Sequence, residues 1–330
     1  MKIAVAGLGW WGKQIITCVE KTSRYKVLYG IDPHPPADVA DFRKSYNFAL
    51  ETDFNRALND PEVEGVILAT PHALHEEQAL QVIAAGKNLF CEKPLTMTGE
   101  GAKRVVDACK KAGKVLGIGH ERRWEPAFEE LGRMLKAGTL GKISLYEANV
   151  SHDNFRKLST DNWRLSPTNA PAGMTTAVII HLTDLMIHWE GPAMEVRARS
   201  DSMIFTPPAE DFVSANIDFK SGAKATFNSL SITPFYGRFT VFGDKGWVEI
   251  ISEGNVDKGK PAILTHGDHN ARRTVSYEAT DTVTQNFEAW ADAVAGKKPY
   301  RFTGEELIEN IRLFEAIVKS SRNNGAAEKL

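Results

Sequence analysis

Three cysteines in 330 residues, Cys18, Cys91 and Cys109, are too few for a disulfide framework. None forms the CxxC spacing of a zinc knuckle. An excess of basic charge is missing too. With 40 Lys and Arg against 42 Asp and Glu, the net charge is -2. That offers no field for a phosphate backbone, so nucleic acid is not an expected partner. Long apolar runs are also absent: stretches such as Ala177–Ile180 fall far short of the ~20 residues of a membrane span. The opening Met1-Lys2-Ile3-Ala4-Val5-Ala6 reads as a strand entering a glycine loop, not as a secretory signal. A cytoplasmic location and no membrane partner are therefore expected. What is present is globular: 42% hydrophobic and 25% charged residues, without repeats or biased tracts, in a length that suits two domains.

The first third alternates short apolar runs with helical periodicity, as βαβ units do. Strands are expected at Lys2–Ala6, Val27–Ile31, Gly65–Ala69, Asn88–Cys91 and Val115–Ile118. Helices are expected near Trp11–Lys21, Asp53–Asn59, Leu74–Ala85 and Gly99–Ala112. These strands are apolar throughout, which suits a parallel sheet covered on both faces. An α/β fold follows, with an N-terminal doubly wound Rossmann domain at 1–122. After that point a helix (Pro126–Lys136), a strand (Ile143–Val150), a polar loop (His152–Pro171) and an apolar helix (Met174–Trp189) precede a row of strands from Glu195 to Tyr277. Two helices, Thr282–Ala295 and Gly304–Ser320, close the chain, and Asn323–Leu330 reads as frayed. This order predicts a second, α+β domain at 123–330 with a predominantly antiparallel open sheet.

Gly7-Leu8-Gly9-Trp10-Trp11-Gly12 is a GxGxxG that follows the first strand and opens the first helix, the context that gives the pattern meaning. Gly7 permits the tight turn, Gly9 lets backbone approach a pyrophosphate, and Gly12 lets helix pack on strand. Asp32 ends the second strand 20 residues beyond Gly12, where an acidic side chain accepts hydrogen bonds from the adenosine ribose. A carboxylate there repels a 2′-phosphate and favours NAD over NADP, although Arg43 and Lys44 lie close enough in sequence to keep NADP open.

Two further segments, Ala69-Thr70-Pro71-His72-Ala73-Leu74-His75 and Ala85-Gly86-Lys87-Asn88-Leu89-Phe90-Cys91-Glu92-Lys93-Pro94, join the glycine loop. Together they resemble the glucose–fructose oxidoreductase / inositol dehydrogenase / MocA (Gfo/Idh/MocA) family of NAD(P)-dependent oxidoreductases. Gly119–Pro126 and Asn162-Trp163-Arg164 are similar to later motifs of that family. The resemblance implies that Thr70, Pro71, His72 and His75 line the cofactor, with His72 where the family usually has Asn. It implies that Glu92 and Lys93 lie at the carboxyl edge of the sheet, that the Glu92–Lys93 peptide is cis, and that Lys93 hydrogen-bonds the hydroxyl being oxidised. A cation there stabilises developing alkoxide charge. Cys91 reads as a buried strand cysteine.

In the apolar helix, Ala177, His181, Asp184 and His188 recur at spacings of 4, 3 and 4, one face of a helix. Polyol-oxidising relatives often show D-x-x-x-H-x-x-D here after a glycine pair. His181 and Asp184 match, Ala177 replaces the first Asp, and Ala172 replaces one glycine. His181 is the candidate general base, and Asp184 either orients it or caps backbone. Arg123, Trp163 and Arg164 are expected to shape the substrate pocket. Asp153, Asn154, Asp161 and Thr176 are candidates to replace the missing Asp. His152, His181 and His188 show no ligand spacing, so no metal is expected.

The resemblance thus implies a dehydrogenase that moves hydride between NAD(H) and a sugar, polyol, cyclitol or related molecule. Two alternatives stay open: NAD-dependent glycoside cleavage by transient oxidation, and a sensor of dinucleotide and sugar without turnover. Few helices are available to cover the outer face of the strand-rich half. Relatives pair through that face, so a homodimer or homotetramer is expected.

Overall fold

The computed structural model describes every residue, Met1–Leu330. The chain forms two compact units. One comprises Met1–His120 with Val283–Ile308, the other Glu121–Thr282 with Glu309–Leu330.

The first unit begins β1 (Lys2–Ala6), α1 (Trp10–Glu20), β2 (Lys26–Ile31), α2 (Val39–Tyr46), β3 (Ala49–Glu51), α3 (Asn55–Asn59) and β4 (Gly65–Leu68). It continues through α4 (His75–Ala84), β5 (Asn88–Cys91), α5 (Gly99–Ala112) and β6 (Leu116–Ile118). Every strand pairing is parallel, in the order β3-β2-β1-β4-β5-β6. The strand order reverses between β1 and β4, and ligands bind outside the carboxyl ends of the strands at such a switch point. α2 and β3 were not expected from the sequence. α2 is short and has only Val39 buried, so its periodic signal is faint.

The second unit contains α6 (Pro126–Lys136), β7 (Ile143–Ser151), α7 (Ile179–Glu190), β8 (Ala193–Asp201), β9 (Phe212–Phe219) and β10 (Lys224–Leu230). β11 (Tyr236–Gly243), β12 (Gly246–Ser252), β13 (Ala262–Asp268) and β14 (Arg272–Tyr277) follow. α8 (Thr282–Val294), α9 (Gly304–Arg322) and β15 (Glu328–Lys329) complete the chain. Nine strands lie in the order β14-β13-β12-β11-β7-β10-β9-β8-β15. β7 and β10 pair in parallel and the other neighbours antiparallel. Burial alternates along β9 and β10, the pattern of a sheet covered on one face.

Three expectations are corrected. α8 belongs to the first unit, not to the second domain. Its Val283, Phe287 and Trp290 join the core of Phe90, Tyr25 and Ile67, and Asn286 Nδ2 donates to Ile118 O at 2.8 Å. The C-terminus is not frayed: β15 pairs with β8, and Leu330 N donates to Met194 O. An otherwise open sheet edge is thereby capped. Lastly, α7 begins at Ile179 and not at Met174. Ala172 and Gly173 both have left-handed backbone, with φ of +56° and +54°. The chain passes through a short 3-10 turn, Gly173–Thr175, before the helix forms. Ala177 therefore precedes the helix, and only His181, Asp184 and His188 share its frame.

Candidate functional site

In the first unit, the loops after β1, β4 and β5 meet at the carboxyl edge of the parallel sheet. The turn at Gly7 has φ +89°, and Gly7 N donates to Ile31 O at 2.8 Å. A Cβ on Gly7 would lie 2.4 Å from Ala69 O, and one on Gly12 would lie 1.8 Å from Gly7 O. Backbone packing alone therefore demands those two glycines. Gly9 differs, because a Cβ there would meet nothing within 4 Å. The open space beside Gly9, and a helix start that no side chain caps, match what a pyrophosphate needs: close backbone and unsatisfied N–H groups. The residues fit a dinucleotide.

Asp32 receives Leu8 N on Oδ2 at 2.8 Å and His34 N on Oδ1 at 2.9 Å. Its carboxylate is thus fixed beside the glycine loop, with lone pairs left for hydroxyl donors. Trp10 is 60% exposed at the loop, with the Trp11 ring 5.2 Å away.

The segment after β4 holds Thr70 and His72, both mostly buried, with Pro71 between them. Thr70 Oγ1 donates to Gln78 Oε1 at 2.6 Å. His75 has a different place from the one its motif implies. It is completely buried, with Nδ1 2.7 Å from Pro94 O and Nε2 3.0 Å from Thr70 O. The ring bolts the loop after β4 to the loop after β5 and does not line a ligand surface. Burial, and secondarily the charge of Lys93, pull its pKa down, although both carbonyls favour the protonated ring.

Glu92 and Lys93 follow β5 directly. The cis bond lies one residue later than expected, at Lys93–Pro94. This is the economical position, because the tertiary X–Pro amide largely loses the trans preference that other peptides keep. Glu92 is buried over Gly119, where a Cβ would sit 2.4 Å from Glu92 Oε2. Burial pushes its carboxyl pKa up to about 7, against the opposing pull of the Lys93 charge. Lys93 itself is half-buried.

In the second unit, a 3-10 turn, Glu121–Trp124, runs beside α7. Arg123 Nε and Nη2 each donate to an oxygen of Asp184 at 2.7 Å, a fully buried fork. The two charges neutralise each other, so neither is presented as an isolated grip for substrate. Beside His181 stands a carboxylate that sequence reasoning missed: Glu121 Oε1 lies 4.0 Å from His181 Nε2, with both groups buried. Only its place, two residues before an arginine of a recognised motif, could have signalled it. Arg164 stacks on Trp163 with its guanidinium carbon 4.3 Å from the ring centroid, and desolvation lowers its pKa. Asp153 opens a 3-10 turn, Asn154 N donates to His152 Nδ1 at 3.3 Å, Asp161 is exposed and Thr176 is buried.

Comparison with known proteins bears on both units. Residues 1–120 match the oxidoreductase family with an NAD-binding Rossmann fold. Residues 128–249 match the Gfo/Idh/MocA C-terminal domain. The chain belongs to the Gfo/Idh/MocA oxidoreductase family. Among relatives, it is 28% identical to 1,5-anhydro-D-fructose reductase of Ensifer adhaerens, over 84% of this chain and 83% of that protein. It is 26% identical to scyllo-inositol 2-dehydrogenase (NADP(+)) of Bacillus subtilis, over 80% and 78%. The fold matches aldose-aldose oxidoreductase of Caulobacter crescentus with a TM-score of 0.86, covering 100% and 99% of the chains at 22% identity. The family establishes an NAD(P)-binding oxidoreductase. No helix is long and apolar enough to cross a membrane.

Proposed function

We propose that this chain transfers hydride between NAD(H) and a carbinol or carbonyl carbon of a sugar, polyol or cyclitol. The observation that carries the reading is the convergence of three loops at the switch point of the parallel sheet, with His75 joining Thr70 O to Pro94 O. The bolt ties the backbone just after Lys93, at Pro94, to the loop after β4 at Thr70, so the ammonium is delivered from a fixed strand end. The relatives named above act on anhydro-fructose and scyllo-inositol, which supports a hydroxylated substrate.

With the dinucleotide bound at the glycine loop, its nicotinamide would supply the hydride acceptor or donor. In the first unit Lys93 is assigned the polarisation of a reacting oxygen, and in the second unit His181 is assigned the role of general base. The Arg164–Trp163 stack offers a flat apolar surface with guanidinium donors at its edge, suited to a ring bearing hydroxyls. NAD is favoured over NADP. Asp32 sets a negative charge beside the glycine loop, and Arg43 and Lys44 lie in the last turn of α2, a helix length away from the end of β2. A homodimer is proposed through the open face of the large sheet, where Tyr236, Phe242, Trp247 and Ile251 lie opposite the buried Phe239, Val241, Val248 and Ile250. Light scattering reads that directly.

The functional test is a screen of sugars, cyclitols and hydroxy acids for release of free NADH. Lys93→Ala and His181→Asn should each lower kcat by about 10²–10⁴-fold while dinucleotide binding persists. Binding of such compounds without turnover of any of them would overturn the reading.

A further inference from the structure

We propose that Glu121 is the positioning residue of His181, the carboxylate that gives this imidazole its charge partner. The proposal rests on His181 as the proton acceptor of the reaction above. Asp184 is the partner that sequence spacing suggests, since it lies one turn further along α7. Both of its oxygens, however, receive Arg123 at 2.7 Å. Glu121 Oε1 instead faces Nε2 at 4.0 Å.

The turn that carries Glu121 is fastened on two sides. Arg123 forks onto Asp184 of α7. Arg122 points the other way, donating to Glu125 Oε1 at 2.7 Å and to Asn255 Oδ1 at 3.0 Å. Four consecutive residues, Glu121–Trp124, are all buried. A turn tied to α7 by one residue holds the carboxylate two positions earlier at a set distance from the imidazole three positions before Asp184. The Arg123–Asp184 pair thus acts as the mount, and Glu121 as the charge it carries.

The other charged or titratable groups brought to α7 within this unit are engaged elsewhere. Glu190 accepts from Tyr146 Oη at 2.6 Å. Glu147 of β7 pairs with Arg238, on the face opposite Tyr146. The ring of His152 accepts from Asn154 N, and His188 is exposed.

A negative charge within ~4–6 Å favours the protonated imidazole. At 4.0 Å the pair is longer than a hydrogen bond, so Glu121 acts on the ring through its charge and raises its proton affinity. A base must hold the proton it takes, and at 5% exposure an unassisted histidine would resist charging.

The test reads His181 itself. The full chain, labelled with 13C-histidine, is titrated by NMR, with the His181 resonance assigned by its loss in His181→Asn. Glu121→Gln should lower the His181 midpoint by about one pH unit. Glu121→Asp, which keeps the charge but withdraws it, should fall between parent and Gln variant. The acid limb of the kcat/KM profile should move by the same amount. An identical midpoint in all three chains overturns the proposal, as does a shift in the opposite direction. Because the midpoint needs no turnover, the two readings fail separately. A lowered midpoint in a chain inert toward every sugar and cyclitol sinks the proposed reaction alone, and an unmoved midpoint in an active enzyme sinks the pairing alone.

Discussion

Arg123 holds Asp184 with two hydrogen bonds of 2.7 Å, and at 3% and 1% side-chain exposure neither group meets water. Removing one partner of such a pair leaves a bare buried charge and costs about 3–5 kcal/mol. Replacing both with apolar residues of similar volume is often close to neutral. Arg123→Met and Asp184→Leu should therefore each lower the urea midpoint sharply, and the double variant should recover most of the loss. Single variants within about 1 kcal/mol of the parent would mean that the pair is not the fastening it resembles.

Ala172 occupies left-handed backbone at φ +56°, ψ +45°. A Cβ in that region crowds the following carbonyl at roughly 1–2 kcal/mol, whereas glycine adopts it freely but gives up more entropy on folding. Ala172→Gly should give a net stabilisation of about 0.5–1 kcal/mol, read as a higher urea midpoint with an unchanged slope. The same substitution at Ala170, which has no such backbone requirement, should not stabilise. A lowered midpoint for Ala172→Gly would refute the strain argument.

Much of the first unit was written in local patterns. Strands β1 and β5 and helix α5 fall where periodicity and glycine put them, because both faces of that sheet are covered and its strands are apolar throughout. Gly7 and Gly12 were legible as positions where backbone packing excludes a side chain. The misses have a common cause, since each depended on tertiary neighbours. The amphipathic pattern of α8 shows that it has an apolar face, but not that Trp290 fills the first unit. His75 carries the signature of a lining residue, and only burial shows it to be a bolt. Asp184 had the helical spacing of an orienting acid, yet Arg123, 61 residues earlier in the chain, claims it. Glu121 lay inside the Gly119–Pro126 segment, but nothing local gave it a role.

The three glycines of the first loop should respond differently to alanine. Gly12→Ala drives a methyl to 1.8 Å from Gly7 O, so the βα junction must open and stability falls. Gly9→Ala meets nothing within 4 Å, and its thermal midpoint should match the parent. Its affinity for NAD should nonetheless fall at least tenfold, about 1.4 kcal/mol, because the methyl occupies the approach of the pyrophosphate. Fluorescence titration with NADH alongside thermal unfolding separates the two effects. Unchanged affinity in Gly9→Ala would remove the dinucleotide from this loop.

Glu92 gives the molecule a pH signature with a determinate sign. Burial raises its carboxyl from the ordinary 4.5 to about 7, so between those values the folded chain binds more protons than the unfolded one. Stability then falls as pH rises through this window, the reverse of the usual trend for salt-bridged carboxylates. Above about pH 7 the full penalty of a buried carboxylate is present. Glu92→Gln keeps the shape above Gly119 and removes the titration. The variant should unfold at nearly constant urea concentration from pH 5 to 8, and it should be more stable than the parent at the alkaline end. Parallel stability curves for the two chains would show instead that Glu92 is already ionised at low pH, its charge held by Lys93.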